Sequence, residues 1–596
     1  MTSTSNSEWP PLRLVPDATS LWARWVPRLL ILSAALVILA RVAAPFQVGK
    51  DQGAQLEGSL RLLAGQGLTD TYYARTAGLD ITTDPVPGPT TQWPPGFSLA
   101  IAALLGCGIS LITSLKLLYS VSTALGWCGW ASICGKLFSE LPVTGHSRIL
   151  CAVPLIASIL IPIFYTPLWN GTDVLLWAGV PWLVLLTNRP VDAPSGLRAA
   201  AAAGFLIGVL FAFRYASGFL GIAGGIIMLR AVMPNWKELL KRYAAFGLSS
   251  VLLAIPVVLF MGTGNTPLSD MYDLTGVASV AGLADAGDAG DASGVESSSV
   301  LSAAMLSHRA GRLIFASPLL DLLLARVHWP LLVSAAGILT VLIVILAPVL
   351  CWNVSRHRKP DFTLPLLIMP AALVVFLIGG SEGFYLGIPR YYEPVLLCWV
   401  LACVTISGNR GMVLAWGARG VLAIFLAYLC GAMPLMAVME SRRPSVVRTV
   451  LGYSPSRAAI LNSTSAPVSF PSYGRLFSNK EDTRNKTVEL FRQYPEALFL
   501  VQNYQMFVFD GLPGGPKPGS QIRQFPVESY MSSAFSSINR KVFVVLDANL
   551  ASLPLRKWVR KVVYRNPWEK TVIGEIDVQA GQRILDAALA MPGEGE

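Results

Sequence analysis

The sequence predicts a polytopic α-helical membrane protein with about eleven transmembrane helices and a small α/β domain at its C-terminal end. The 596 residues are 53% hydrophobic and only 14% charged, whereas a soluble domain carries roughly 25% charged residues. Several apolar runs approach the ~20 residues that a helix needs to cross ~30 Å of hydrocarbon. The last part of the chain instead alternates short Val- and Phe-rich runs with polar, helix-like stretches.

Apolar runs long enough to be considered as membrane spans recur through a predicted transmembrane domain that covers residues 24–439. They lie near 24–45, 116–136, 149–166, 172–188, 198–213, 216–233, 243–262, 329–351, 362–380, 394–408 and 411–436. One further run, Phe97–Leu105, is bracketed by Pro94, Pro95 and Gly106. Because about nine apolar residues are too few to span, this run predicts an interfacial or re-entrant helix.

The distribution of Lys and Arg orients these spans. If Phe97–Leu105 does not cross, the short loops on the side of the N-terminus carry 13 basic residues, and the opposing short loops carry only Arg214 and Arg390. The positive-inside rule then predicts a cytoplasmic segment 1–23 and an extracytoplasmic C-terminus, in a plasma or inner membrane. The net charge of +11 is explained by this orientation, so membrane lipids are expected partners and nucleic acid is not.

Three regions are expected outside the membrane: a first outer loop 46–115, a long outer loop 263–328 and the α/β domain 440–596. In the last region the runs "ALFLVQ", "MFVFD" and "KVFVVLD" predict strands, and Lys480–Tyr494 predicts a helix. This domain could be a structural cap or could recognise an acceptor, and the sequence favours neither. The eight cysteines lie in or beside apolar runs and the four histidines are scattered, so no metal site and no cofactor are predicted. The outer carboxylates could still recruit a divalent cation.

Asp51 directly follows the first apolar run, in "FQVGKDQGAQLEGSLRLLAGQGL". Because an Asp at the centre of a span costs about 2.5–3.5 kcal/mol, such a charge belongs at a membrane edge or in a functional cavity. Leu56, Leu60 and Leu63 then fall at helical spacing and predict an amphipathic helix. The ordinary alternative is a helix-end residue paired with Lys50.

Further candidate residues fall on the same predicted outer face. The turn "QWPPGF" places Trp93 before two prolines, which fix the chain there. Arg390 and Tyr391 lie in the loop "SEGFYLGIPRYYEP", and Arg214 lies in "FAFRYASG". An outer arginine suits an anionic lipid phosphate. Asp173, in "PLWNGTDVLL", is another outer carboxylate. The alternatives are an ion pair within the Arg390 loop, snorkelling of Arg214 to the interface and a helix-capping role for Asp173.

The span, the following Asp51, the Trp93-Pro94-Pro95 turn, the basic inner loops and the late Arg390-Tyr391 together resemble the GT-C superfamily of polyprenyl-phosphate-sugar-dependent glycosyltransferases. The nearest type is that of the dolichyl- or polyprenyl-phosphate-mannose protein mannosyltransferases and the aminoarabinose transferases. The resemblance covers the layout of residues 24–436.

The resemblance implies roles for these residues. It implies that Asp51 acts as general base or orients the acceptor, that Asp173 is the second-loop carboxylate, and that Arg390 and Tyr391 face the lipid phosphate. Two positions depart from the usual pattern. Gln52 follows Asp51 where many relatives have Glu, and Trp93 stands where many have Lys. Arg214 or Arg309 could then supply the phosphate contact of that Lys.

The expected activity is therefore transfer of a hexosyl or pentosyl group, with inversion, from a polyprenyl-phosphate donor to a hydroxyl of a protein, lipid or glycan acceptor. Three alternatives remain. The first is a transporter or flippase, which ionisable residues in mid-span and repeated discontinuous helices would favour. The sequence offers few such residues and no matched repeat. A glycan ligase or polymerase of the same superfamily would differ only in its donor. The last alternative is a purely structural membrane protein.

Overall fold

A computed structural model of the 596-residue chain shows a mainly helical protein with a mixed β-sheet near its C-terminal end. The structure describes residues 46–48, 50–70, 88–89, 93–140, 172–193, 195–262, 343–352, 362–379, 393–408, 413–427, 476–478, 481–501, 522–524, 541–547, 559–566 and 571–577, with parts of 25–39.

The described helices follow one another through the predicted transmembrane domain. They are α1 (Lys50–Leu63), α2 (Gly96–Gly106), α3 (Leu111–Glu140), α4 (Asp173–Thr187), α5 (Gly196–Phe213), α6 (Gly218–Val232), α7 (Trp236–Gly262), α8 (Thr363–Gly379), α9 (Glu393–Gly408) and α10 (Val413–Ala427). The described segment Ile343–Trp352, between α7 and α8, is also helical. A 3₁₀ turn, Tyr215–Ser217, joins α5 to α6.

Four helical segments of the described residues are long and apolar enough to cross a membrane: Leu111–Leu137, Gly196–Phe213, Tyr215–Val232 and Trp236–Phe260. Shorter apolar helices accompany them, among them Val174–Thr187, Thr363–Phe376 and Leu397–Ser407. This content is that of a polytopic helical membrane protein. The predicted span 149–166 lies outside the described residues, so the number eleven remains a prediction.

Helix α2 has 11 residues. At 1.5 Å per residue it is about 16 Å long, roughly half of the ~30 Å hydrocarbon thickness. Its length therefore agrees with the expectation that the run Phe97–Leu105 does not span.

Close packing in the helical bundle depends on small residues at helix contacts. Helices α5 and α7 meet at Gly204, where a β-carbon would collide with the Phe246 carbonyl oxygen, and the Ser250 hydroxyl donates a hydrogen bond to the Gly204 carbonyl oxygen at 3.0 Å. Contacts between helices in membranes are commonly formed by small residues, which let the helix backbones approach closely. Helices α3 and α4 meet through Trp127 and Trp177, whose rings pack edge to face with centroids 5.1 Å apart.

The C-terminal region contains a five-stranded mixed sheet and one described helix. The elements are β5 (Leu498–Val501), β6 (Ile522–Gln524), β7 (Val542–Asp547), β8 (Val559–Asn566), β9 (Thr571–Ile576) and helix α11 (Glu481–Gln493). The sheet order is β6-β5-β7-β9-β8, with β5 parallel to β6 and β7, and β9 antiparallel to β7 and β8. The predicted strand "MFVFD" lies outside the described residues, and an independently folding domain 440–596 remains a prediction.

Two short pairs of strands complete the described elements. Strand β1 (Phe46–Val48), directly before α1, runs parallel to β4 (Leu476–Ser478), which precedes α11. Strands β2 (Thr69–Asp70) and β3 (Gly88–Pro89) pair antiparallel within the predicted first outer loop.

Candidate functional site

The candidate site is built around helix α1, which places Asp51 in its first turn. A carboxylate is favoured there because the unpaired backbone N–H groups and the helix dipole give the N-terminus partial positive charge. The side chain of Asp51 lies outside the described part of the structure. Every residue from Gln52 to Ser59 is buried, so the first two turns of helix after Asp51 are covered by protein on all their faces.

This enclosure differs from the amphipathic helix that the leucine spacing predicts. Leu56 is buried, but Leu63 is 48% exposed, while Gln52, Gln55 and Glu57 are no more than 7% exposed. Buried polar groups are costly without hydrogen bonds, and hydrophobic periodicity alone cannot report that both faces are covered. Where the leucine spacing predicts an amphipathic helix, the structure therefore has a helix whose polar residues are also buried.

Hydrogen bonds satisfy part of this buried polar surface. The Ser59 hydroxyl donates to the Gln55 carbonyl oxygen at 2.9 Å, and the buried Ser98 hydroxyl of α2 donates to the same oxygen at 2.8 Å. Arg61 forms an ion pair with Glu57, with 2.9 Å between Nε and Oε1. The bond from Ser98 joins α1 to α2, one turn of helix beyond Asp51.

The turn before α2 packs onto the end of α5. Trp93 is half-buried, and Pro94 and Pro95 behind it are buried. Gly96 begins the helix, and a β-carbon on it would lie 2.5 Å from the Ala212 carbonyl oxygen. Only a glycine permits this approach. The turn with Trp93 is thereby held against the residues that immediately precede Arg214.

An apolar cluster connects the elements that carry the candidate residues. We call it the outer cluster; its buried members are Leu56, Phe97, Ile101, Leu111, Leu115, Tyr119 and Val174, with Leu60, Leu105, Leu118 and Phe213 packed against it. Val174 follows Asp173 in the chain, and Phe213 precedes Arg214. The outer cluster therefore brings the start of α4 and the end of α5 to α1, which carries Asp51 in its first turn.

The predicted site residues differ in what the structure describes of them. Asp173 is the first residue of α4, and its side chain lies outside the described part. Arg214 ends α5 in an extended conformation (φ −156°, ψ 119°), with its N–H bonded to the Leu210 carbonyl oxygen. Its side chain is half-buried. Arg309, Arg390 and Tyr391 lie outside the described residues, so their expected roles remain predictions.

Sequence reasoning missed several buried polar residues beside these positions. Gln55 lies four residues after Asp51, on the same side of a helix, and that spacing could have identified it. Ser98 and Ser217 carried no comparable signal. Ser217, three residues after Arg214, is fully buried, and its hydroxyl has no hydrogen-bond partner within the described part of the protein. Across the described residues, no group of three or more His, Cys, Asp or Glu side chains is arranged to hold a metal ion.

The fold and composition define a polytopic helical membrane protein with a polar helix enclosed among apolar ones. No family model matches the chain, and no curated protein matches it. Among solved structures, it is similar to ArnT from Cupriavidus metallidurans bound to undecaprenyl phosphate, at 16% identity and a TM-score of 0.43, over 93% of this chain and 98% of that one. It is also similar to the apo state of the same protein, at 15% identity and a TM-score of 0.43, over 94% of this chain and 98% of that one.

At this level of likeness, the roles of individual residues in this chain rest on its own geometry.

Proposed function

We propose that this protein is a membrane glycosyltransferase that moves a sugar from a polyprenyl-phosphate donor to an acceptor hydroxyl on the extracytoplasmic face of a plasma or inner membrane. The observation that carries the proposal is the outer cluster. It joins α1, a buried polar helix with Asp51 in its first turn, to the ends of the helices that carry Asp173 and Arg214. Two carboxylates and an arginine on converging elements are the residue types that this transfer requires.

The chemistry assigns a distinct task to each group. The acceptor oxygen attacks the anomeric carbon, the bond from that carbon to the phosphate oxygen breaks, and polyprenyl phosphate leaves with the electron pair. Asp51 takes the hydroxyl proton as general base, a role that requires hydrogen-bond reach to the acceptor. Asp173 orients the acceptor. Attack opposite the leaving group inverts the anomeric centre, as in single-displacement glycoside chemistry.

Phosphate recognition falls to the outer arginines. Arg214 and Arg390 neutralise the phosphate as it leaves, because a fixed cation stabilises charge that develops in the transition state. Arg309 and Tyr391 are assigned to the same lipid phosphate, and Trp93 to the donor beside the prolines. No cofactor is required by these steps. A hexosyl or pentosyl donor and a protein, lipid or glycan acceptor are all compatible with these residues.

The role of Asp51 is tested by Asp51→Asn in a transfer assay on the purified full-length protein with polyprenyl-phosphate sugars. Loss of a general base lowers rates by about 10²–10⁴-fold, so we expect kcat to fall within that range while membrane insertion and thermal stability are retained. Asp192→Asn is the matched control, because Asp192 is exposed in the loop between α4 and α5. A fully active Asp51→Asn protein would remove the proposed base.

The donor class is tested by mass spectrometry of lipids that copurify in mild detergent. We expect a polyprenyl phosphate or its sugar conjugate with the wild type, and less of it with Arg214→Ala or Arg390→Ala. Arg198→Ala is the control for Arg214, because Arg198 is exposed near the opposite end of the same helix. Bulk phospholipid alone in every sample would contradict the assigned donor. Polyprenyl-linked lipid moved across vesicles without sugar transfer would instead favour a flippase.

A further inference from the structure

Strand β1 connects the candidate site to the C-terminal region of the chain. Its three residues pair in parallel with β4 in the register Phe46↔Leu476, Gln47↔Phe477 and Val48↔Ser478. Helix α1 begins at Lys50, so the paired strand ends three residues before Asp51. The residues that immediately precede α1 are therefore in contact with a segment from the C-terminal part of the sequence.

Such a short pair needs support from the elements at its two ends. Parallel strands are joined by crossover connections, here the whole chain between residues 48 and 476, and closing a long loop costs entropy. A two-stranded pair is marginal by itself. The pairing of β1 with β4 therefore depends on α1 being packed at one end and on α11 being held at the other.

Helix α11 is held firmly on the C-terminal sheet. It lies against β4, β8 and β9. Thr483 in its first turn and Thr571 at the start of β9 are both buried, and their hydroxyl groups share a short hydrogen bond. The Thr487 hydroxyl donates to the Thr483 carbonyl oxygen at 2.7 Å. A continuous path of contacts thus runs from the sheet through α11 and β4 to β1 and α1.

We propose that β4 is a positioning strand for the transfer site: through its pairing with β1, the C-terminal sheet sets where α1 begins and hence where Asp51 stands. This inference rests on the proposed function, because it assigns the C-terminal region to the transfer step. Geometry of this kind matters to rate, since a misplacement of about 1 Å in a reacting group can cost 10²-fold.

The pairing itself is tested by cysteine cross-linking in the full-length membrane protein, with linked peptides identified by mass spectrometry. Neighbouring strands lie about 4.7–4.9 Å apart, within the Cα separation of roughly 4.4–6.8 Å that a disulfide accepts. We expect Gln47→Cys with Phe477→Cys to cross-link and to remain active. Phe46→Cys with Ser478→Cys is the out-of-register control, which should not form a disulfide. Failure of the in-register pair to form a disulfide overturns the inference.

The positioning role is tested by Phe477→Pro, which removes a backbone N–H and restricts the chain in β4. We expect kcat to fall about 100-fold, with the KM for the donor and the copurifying lipid unchanged. Gln47→Pro should do the same from the other strand. Val562→Pro is the control, because Val562 is 55% exposed on β8, the edge strand of the five-stranded sheet, and the change introduces a proline in the C-terminal region outside the β1–β4 pair.

A double-mutant cycle with Asp51 separates positioning from general damage. If β4 acts through Asp51, then Phe477→Pro should produce no further loss in the Asp51→Asn background, since two changes to one interacting unit are not additive. Equal loss with Val562→Pro, or a full additional loss in the double variant, overturns the inference while leaving the transferase intact. A wild type that transfers no sugar overturns the proposed function, and the positioning role falls with it.

Discussion

Helices α1 and α7 distribute polar and apolar residues in opposite ways. Helix α1 is polar, and its residues from Gln52 to Ser59 are buried. In α7 only 6% of the most apolar stretch is buried, and Leu240, Leu248, Leu252 and Leu259 are all at least 66% exposed. In a soluble protein this arrangement would be inverted. The exposed leucines of α7 suit contact with lipid, whereas the polar residues of α1 from Gln52 to Ser59 are covered by protein.

The largest effect on stability is expected at Arg242, a buried charged residue on the otherwise exposed helix α7. Arg242 is 1% exposed. It forms an ion pair with Glu238 at 2.9 Å and donates hydrogen bonds to the carbonyl oxygens of Arg189, Pro190 and Val191. Without the arginine, the half-buried Glu238 carboxylate and three backbone carbonyl groups lose their partner. Removing one partner of a buried pair costs about 3–5 kcal/mol, and the partial exposure of Glu238 places the cost at the lower end of that range. We expect Arg242→Ala to lower the thermal unfolding temperature in detergent strongly, with transfer chemistry impaired only through instability.

The neighbouring lysine provides the control for that prediction. Lys241 is exposed on the same helix, so Lys241→Ala should leave the unfolding temperature almost unchanged. Equal destabilisation by the two changes would show that α7 is not anchored through Arg242.

A pair of leucine truncations tests the comparison between the two helices directly. Leu56 on α1 is fully buried, whereas Leu252 on α7 is 70% exposed. Leu56→Ala leaves a cavity in the outer cluster and should cost about 2–5 kcal/mol, while Leu252→Ala should stay within about 0.5 kcal/mol. Unfolding of both variants in the same detergent measures the difference. If Leu252→Ala were the more damaging change, α7 would be packed against protein rather than lipid.

The sequence was sufficient for features that depend on long local patterns. The predicted runs 198–213 and 216–233 correspond to α5 (Gly196–Phe213) and α6 (Gly218–Val232), because an uninterrupted apolar stretch bounded by charge specifies a helix by itself. The non-spanning length of α2 followed from its flanking prolines and glycine in the same way.

Features that depend on distant contacts could not be predicted in this way. The three residues of β1 carry no periodicity that distinguishes a strand, and their partner lies at the other end of the chain. Burial of Gln52 and Gln55 depends on what covers α1, which periodicity does not report. For the candidate site, sequence patterns selected Asp51, Asp173 and Arg214 one by one. The outer cluster that joins their helices depends on tertiary packing.

The smallest effect on stability is expected at Gly96, where the turn that contains Trp93 packs against the end of α5. A β-carbon on Gly96 would lie 2.5 Å from the Ala212 carbonyl oxygen. Overpacking of this kind costs about 1–3 kcal/mol, and here the atom in the way belongs to the backbone beside Arg214 and cannot move as a side chain would. Gly96→Ala should therefore lower stability modestly and reduce transfer by more than stability explains. Gly225→Ala is the control, since nothing lies within 4 Å of its added carbon.

The two glycine variants separate local geometry from helix stability, because alanine in place of Gly225 gains helix propensity of about 1 kcal/mol. When kcat is compared at a temperature where both proteins are fully folded, any remaining difference reports the shift of the backbone near Arg214 that Gly96→Ala is expected to cause. A Gly96→Ala protein with unchanged kcat and unchanged lipid retention would mean that the end of α5 tolerates the shift. The Trp93 turn would then serve α2 alone, and the arginine would have to be positioned by α6 and the 3₁₀ turn that contains the buried Ser217.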